Sequence, residues 1–308
     1  MPLPPMTEPE SRAERVATAL VGGATTGFLI GTLLGLNAAQ SASLALRPLS
    51  KKAFRRFNRW AAQSWWSLLV ESTKVLYGTH LVASGEDVPP GENAIVLCNH
   101  QEMADIPYLL AWGREKGRLG DMKWFAKKSL KYVPAIGWGM WFLDCPFLDR
   151  NWSKDRRSIE RTFGAIVGEK IPIWLVSFPE GTRQTAENRA ASQQYAQEHG
   201  LEPFAHLLVP RTKGFCATVH GLRSHVQAVY DLTLAFEKGV PTLWQFMKGY
   251  ARRAHLHVRR FPIETLPEDD EALSQWLVER FREKDALLGR FYQTGSFEPA
   301  DAGKRTAG

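Results

Sequence analysis

No charged residue occurs between Ala17 and Leu46, and such a stretch is long enough for one helix across a bilayer. Gly23, Gly27, Gly31 and Gly35 recur at every fourth position, which sets four glycines on one helical face suited to close helix approach. A second helix is expected over Lys51–Tyr77, where Phe54, Phe57, Trp60, Trp65, Leu68, Leu69 and Leu76 alternate with polar positions. Two placements fit that pattern: a helix in a membrane interface with its tryptophans at headgroup depth, or an amphipathic helix packed on a domain. After the turn Pro89-Pro90-Gly91, short apolar runs alternate with helical stretches. The strand candidates are Ala94–Cys98, Trp141–Leu148, Ile173–Phe178, Leu207–Val209, Gln227–Phe236 and His255–Phe261. Helix candidates lie near Asp105–Trp112, Asp155–Val167 and Glu187–His199, and Asp269–Arg290 carries Leu273, Trp276, Leu277, Phe281 and Leu288 on one face. This alternation predicts an α/β fold, a mainly parallel sheet flanked by helices, preceded by N-terminal membrane-anchoring helices.

Composition narrows the class. Apolar residues make up 44% and charged residues 23% of the 308 positions, proportions that build an ordinary core. The net charge of +7 is unevenly placed. Arg47, Lys51, Lys52, Arg55, Arg56 and Arg59 fall in the stretch Arg47–Val70, which holds no acid, and a basic stripe beside a hydrophobic helix suits anionic lipid headgroups rather than nucleic acid. The same cations place that end of the span in the cytosol. Cys98, Cys145 and Cys216 are scattered without a CxxC, which excludes a disulfide scaffold and fits a reducing compartment.

Two strings carry candidate chemistry. Asn99-His100-Gln101-Glu102-Met103-Ala104-Asp105 follows the run Ala94–Cys98, and Phe178-Pro179-Glu180-Gly181-Thr182-Arg183 closes the run Ile171–Phe178. With 8 His among 308 residues, chance supplies about 0.3 HxxxxD pairs, so the first string alone is weak. Histidine is suited to general base work near neutral pH, and a carboxylate five residues on is able to orient it. Read blandly, Asp105 is a helix N-cap, because Pro107 fits only a first turn. In the second string, glycine permits close approach of an anion and arginine grips phosphate with two donors. Its bland reading is a turn with Arg183 solvated. His255 and His257 alternate on a strand without a third ligand, so no metal site is expected.

The two strings together resemble the glycerolipid acyltransferases. Ala126–Leu130, Tyr132–Trp138, Pro210–Phe215, Ala228–Leu234 and Glu283–Ala286 are similar to segments of the membrane-bound 1-acylglycerol-3-phosphate acyltransferases, and the likeness runs from about Arg47 to Phe297. The resemblance implies His100 and Asp105 as catalytic base and orienting acid. It implies Glu180, Gly181, Thr182 and Arg183 as binders of the acceptor's phosphate and glycerol. Arg150, ending Phe147-Leu148-Asp149-Arg150, matches a further family motif, and Lys128 and Lys213 add positive potential. Two departures bear on acceptor choice: many members carry serine at the position of Glu102 and glycine at that of Asp144. The implied reaction moves a fatty acyl group from acyl-CoA or acyl-carrier protein to lysophosphatidate, without metal or prosthetic group, by direct attack of the alcohol. The expected partners are a lysophospholipid acceptor, the acyl donor and a membrane with anionic lipids. The expected organisation is an unstructured 1–16, membrane-anchoring helices over 17–80, a catalytic domain on the cytosolic face over 81–297, and an unstructured tail over 298–308.

Overall fold

The computed structural model describes residues 3–149 and 152–298. Two long helices come first, α1 (Arg12–Ala42) and α2 (Lys51–Tyr77), each started by a serine whose hydroxyl accepts an N–H three residues on. Gly78, at φ 67°, ends α2 in the left-handed conformation. The globular part then runs β1 (His80–Gly85), β2 (Ala94–Cys98), α3 (Asp105–Glu115), β3 (Met122–Trp124), β4 (Ala126–Lys127), α4 (Ile136–Phe142), β5 (Phe147–Leu148) and α5 (Trp152–Gly168). It continues with β6 (Trp174–Ser177), α6 (Ala186–Glu198), α7 (Thr212–Leu222), β7 (Ala228–Phe236), α8 (Leu243–Met247), β8 (Arg253–Pro262) and α9 (Asp270–Thr294).

The main sheet has the order β1-β8-β7-β2-β6-β3, and β4 pairs with β5 apart from it. Every neighbouring pair is parallel except β7–β8. All five residues of β2 are buried, as expected of a central parallel strand covered on both faces. Its side chains alternate between two cores. Ala94, Val96 and Cys98 join Tyr108, Leu109 and Trp112 of α3, while Ile95 and Leu97 join Ile159 and Phe163 of α5, Val219 of α7 and Leu277 and Phe281 of α9. Asp269 caps α9, accepting from the Ala272 N–H at 2.8 Å. Within the same helix, Lys284 is fully buried and pairs with Asp231 of β7 at 2.7 Å.

Several local expectations change. Trp141 and Phe142 belong to α4, so only Phe147–Leu148 of the expected strand is extended, because a short apolar run serves either element. Leu207–Val209 forms no strand. Segment 3–11, expected to be unstructured, is pinned down instead: the Met6 N–H donates to Val240 at 2.9 Å and Glu8 pairs with Lys248. A Cβ on Gly23, Gly27, Gly31 or Gly35 would meet nothing within 4 Å, whereas Gly22 makes the close approach, its absent Cβ lying 2.7 Å from the Met247 carbonyl oxygen. Asp121 and Asp144 hold Arg59 and Arg55 of α2 at 2.8 and 2.9 Å, and Glu169 holds Lys51 at 3.7 Å. Half of the expected lipid-facing cations thus face the domain, and α2 buries Phe54, Ala61, Ala62 and Val70 against it. His255 and His257 bond Glu237 at 2.6 Å and Ser84 at 3.1 Å and lie against Phe291 and Phe297.

Candidate active site

β2 and β6 run side by side with Leu97 opposite Ser177. Because they are parallel, the segments that follow them emerge at the same carboxyl edge, where open α/β sheets bind ligands. His100 stands three residues beyond Leu97, and Glu180 three beyond Ser177. Topology alone therefore brings the two motifs together.

The loop carrying His100 is fixed at several points. Asn99 accepts the Leu234 N–H at 2.8 Å and donates to the Leu234 carbonyl at 3.0 Å, continuing the β2–β7 pairing through a side chain. Gln101 donates to the same carbonyl at 2.8 Å and accepts the Tyr292 hydroxyl at 3.3 Å. His100 Nδ1 lies 2.9 Å from Asp105 Oδ2, which also accepts the amides of Gln101 at 2.7 Å and Glu102 at 3.1 Å. The N-cap of α3 is Ala104, so Asp105 is the first helical residue rather than the cap. Its carboxylate binds the loop that presents the histidine. Burial raises the Asp105 carboxyl above its ordinary pKa, opposed by its bonds to His100 and the two amides. Since that oxygen accepts, the hydrogen-bond network places the imidazole proton on Nδ1 and leaves Nε2 able to accept a proton.

Phe178, the first residue of the second motif, carries no mark in the sequence of the role it plays. Its ring stacks on the imidazole with centroids 4.1 Å apart, and Trp124 stacks behind it at 6.1 Å. Two adjacent constraints, the Asp105 bond and the Phe178 face, hold the ring's plane.

Glu180 departs from the expected role of phosphate binder. It is 2% exposed, too enclosed to meet a substrate. Oε2 accepts the His100 amide, while Oε1 accepts the Leu208 amide and the Gln184 side chain, each at 3.0 Å. Burial pushes this carboxyl up to about 7 against the pull of those donors. Glu180 is a brace between the ends of β2, β6 and the segment before α7. Thr182 also buttresses the turn, accepting from Asn188 at 3.0 Å.

Gly181 adopts φ +70° and a Cβ there would sit 2.9 Å from the Arg211 side chain. The conformation favours glycine there, and a Cβ would push the arginine aside. Arg211 thus lies across the turn, tied there by its own amide to the Pro179 carbonyl at 2.7 Å. It stands inside Pro210–Phe215, and the glycine of the second motif is the sequence's signal that something packs close. Arg183 is half exposed and its guanidinium is 2.6 Å from Glu102 Oε1, not solvated as a simple turn would leave it.

Of the remaining candidates, Lys128 pairs with Asp149 at 2.7 Å. It lines a cavity of about 710 Å³ with Lys51, Arg55, Lys131 and Arg161. Lys213 is exposed in the first turn of α7, without an ion pair among the described residues. Arg150 lies outside the described residues. Among those described, no cluster of His, Cys, Asp and Glu has the makings of a metal site.

The family described as Acyltransferase matches residues 80–260, and that described as Acyltransferase C-terminus matches residues 245–306. The chain belongs to the acyltransferase family. Its acyltransferase relatives include 1-acyl-sn-glycerol-3-phosphate acyltransferase 2 of Arabidopsis thaliana, 36% identical over 260 residues, covering 82% of this chain and 66% of the plant protein. The delta enzyme of the same name from Homo sapiens is 38% identical over 275 residues, covering 87% of this chain and 72% of the human protein. A solved structure, the 1-acyl-sn-glycerophosphate (LPA) acyltransferase PlsC from Thermotoga maritima, superposes with a TM-score of 0.51 at 18% identity, over 87% of this chain and 95% of that one. That likeness bears out the α/β fold.

Proposed function

We propose that this acyltransferase moves a fatty acyl group from a thioester, acyl-CoA or acyl-carrier protein, to the free hydroxyl of lysophosphatidate, producing phosphatidate. The observation that carries the reading is the His100–Asp105 pair at 2.9 Å, set at the same sheet edge as the Gly181–Arg183 turn. His100 Nε2 takes the hydroxyl proton as the oxygen forms its bond to the thioester carbonyl carbon. Asp105 stabilises the imidazolium that results. The tetrahedral intermediate then collapses, the carbon–sulfur bond breaks, and the thiolate takes the proton back from Nε2. Such a base contributes about 10²- to 10⁴-fold. The step needs neither metal nor prosthetic group, since the donor arrives activated. Cys98 is no nucleophile in this scheme; it is buried, and burial raises its thiol well above the ordinary value.

The acceptor's phosphate is assigned to Arg183 with Arg211 across the turn, because paired guanidinium donors suit a phosphate monoester. The relatives' names support the acceptor, as both act on 1-acyl-sn-glycerol 3-phosphate. Membrane attachment, with the catalytic domain on the cytosolic face, is assigned to α1 lying in the interface: the helical stretch Arg12–Leu46 has the length and apolarity of a span, but it packs along the domain and offers the bilayer one side. Purified protein given lysophosphatidate and mixed acyl-CoAs is expected to yield phosphatidate by mass spectrometry. Turnover confined to another lysophospholipid would overturn the acceptor, and no acyl product at all would overturn the reaction.

A further inference from the structure

Arg183 meets an acid before it meets any substrate. Glu102 Oε1 lies 2.6 Å from its guanidinium and is itself held by the Met103 amide at 2.8 Å. The backbone of the same residue donates to Asp105 Oδ2 at 3.1 Å. One residue therefore binds the catalytic acid through its amide and the arginine of the turn through its carboxylate. The side chains differ in access: Arg183 is 45% exposed and Glu102 is 22% exposed, so an arriving anion approaches from the guanidinium's open side.

We propose that Glu102 is a specificity-determining residue that sets the enzyme's preference for the charge of the acceptor's head group. This rests on the placement of the acceptor at the Arg183 turn. A phosphate monoester carries about −1.5 to −2 charges near neutral pH. To engage Arg183 it must displace the Glu102 carboxylate or share the guanidinium with it, and the two anions repel. A phosphodiester head bearing an ammonium carries a single negative charge and a cation that Glu102 attracts. The carboxylate thus weakens binding of the monoester and favours the zwitterion, without touching the reacting atoms. It is distinct from the dyad, because its contribution to Asp105 comes from the main chain and survives replacement of the side chain.

Glu102→Gln tests this. Glutamine keeps the Met103 bond through its carbonyl oxygen and the Asp105 bond through its amide, and removes only the charge. The KM for lysophosphatidate is expected to fall about two- to fivefold, the range that a partly exposed ion pair commands. kcat is expected to stay within about twofold, and the kcat/KM ratio of lysophosphatidate to lysophosphatidylethanolamine is expected to rise. Glu102→Ser should move the same ratio in the same direction. An unchanged ratio in both variants would overturn the inference. So would a fall in kcat shared by every acceptor, which is what a purely structural brace of the loop predicts. Failure of the acceptor assignment itself shows earlier and separately, as wild-type protein inert on lysophosphatidate.

Discussion

At the scale of single residues, Asp105 separates the catalytic reading from the structural one. Its Oδ2 accepts from His100 and from two backbone amides, so it fixes both the tautomer and the loop. Asparagine would retain an oxygen for the amides, and it serves as well as aspartate where only capping matters. Being neutral, it cannot stabilise the imidazolium as the carboxylate does. Asp105→Asn is therefore expected to keep the fold, seen as an unchanged thermal midpoint, and to lower kcat by about 10²- to 10⁴-fold. Near-normal turnover would reduce Asp105 to a brace. The sequence exposed His100, Asp105 and the glycine-arginine turn because each needs a particular residue type at a particular spacing. Phe178, Arg211 and the inward turn of Glu180 stayed hidden. Stacking, a side chain laid across a glycine and a buried carboxylate are decided by neighbours distant in sequence.

At the scale of elements, the site depends on the carboxyl ends of β2 and β6 staying in register, and Glu180 joins them. Its carboxyl titrates near 7 in the folded chain, against about 4.3 in an unfolded one. A carboxyl with a raised folded pKa binds more protons in the native state, so stability falls as pH rises between those values. The protein is expected to lose stability from about pH 4.5 to 7 by this group, on the order of 3 kcal/mol. Thermal unfolding followed across that range should show the decline, and Glu180→Gln should flatten it while also weakening the fold, since an amide has one accepting oxygen where the carboxylate uses both. An identical slope in the variant would dismiss the assignment. Long periodic elements were legible from the pattern alone: Lys51–Tyr77 is α2 and Ala94–Cys98 is β2. The antiparallel β7–β8 pair, the edge strands β1 and β3, and the helix at Trp141 were not. Pairing direction and edge position leave no periodic trace, and short apolar runs fit either element.

Taken whole, the molecule does not hold α1 away from its catalytic domain. Gly22 abuts Met247 of α8, Thr18 bonds Tyr250 at 2.8 Å, and Asn37, near the other end of α1, comes to within 3.8 Å of where a Cβ on Gly139 of α4 would lie. The outward side of α1 meanwhile presents Leu20, Phe28 and Leu34, at 70%, 55% and 43% exposure. An apolar side left open along a helix is suited to the bilayer interface. Replacing those three residues with serine is expected to lower partition onto anionic vesicles at least tenfold in a flotation assay, since burial of each contributes about 1.5–3 kcal/mol. Unchanged flotation would place the membrane contact elsewhere. The central claim, that His100 is the base of an acyl transfer to lysophosphatidate, is tested most directly by His100→Ala. Formation of phosphatidate from lysophosphatidate and acyl-CoA should fall at least a hundredfold while folding and vesicle binding stay as in the wild type. A variant that retained more than about a tenth of the wild-type kcat would contradict it.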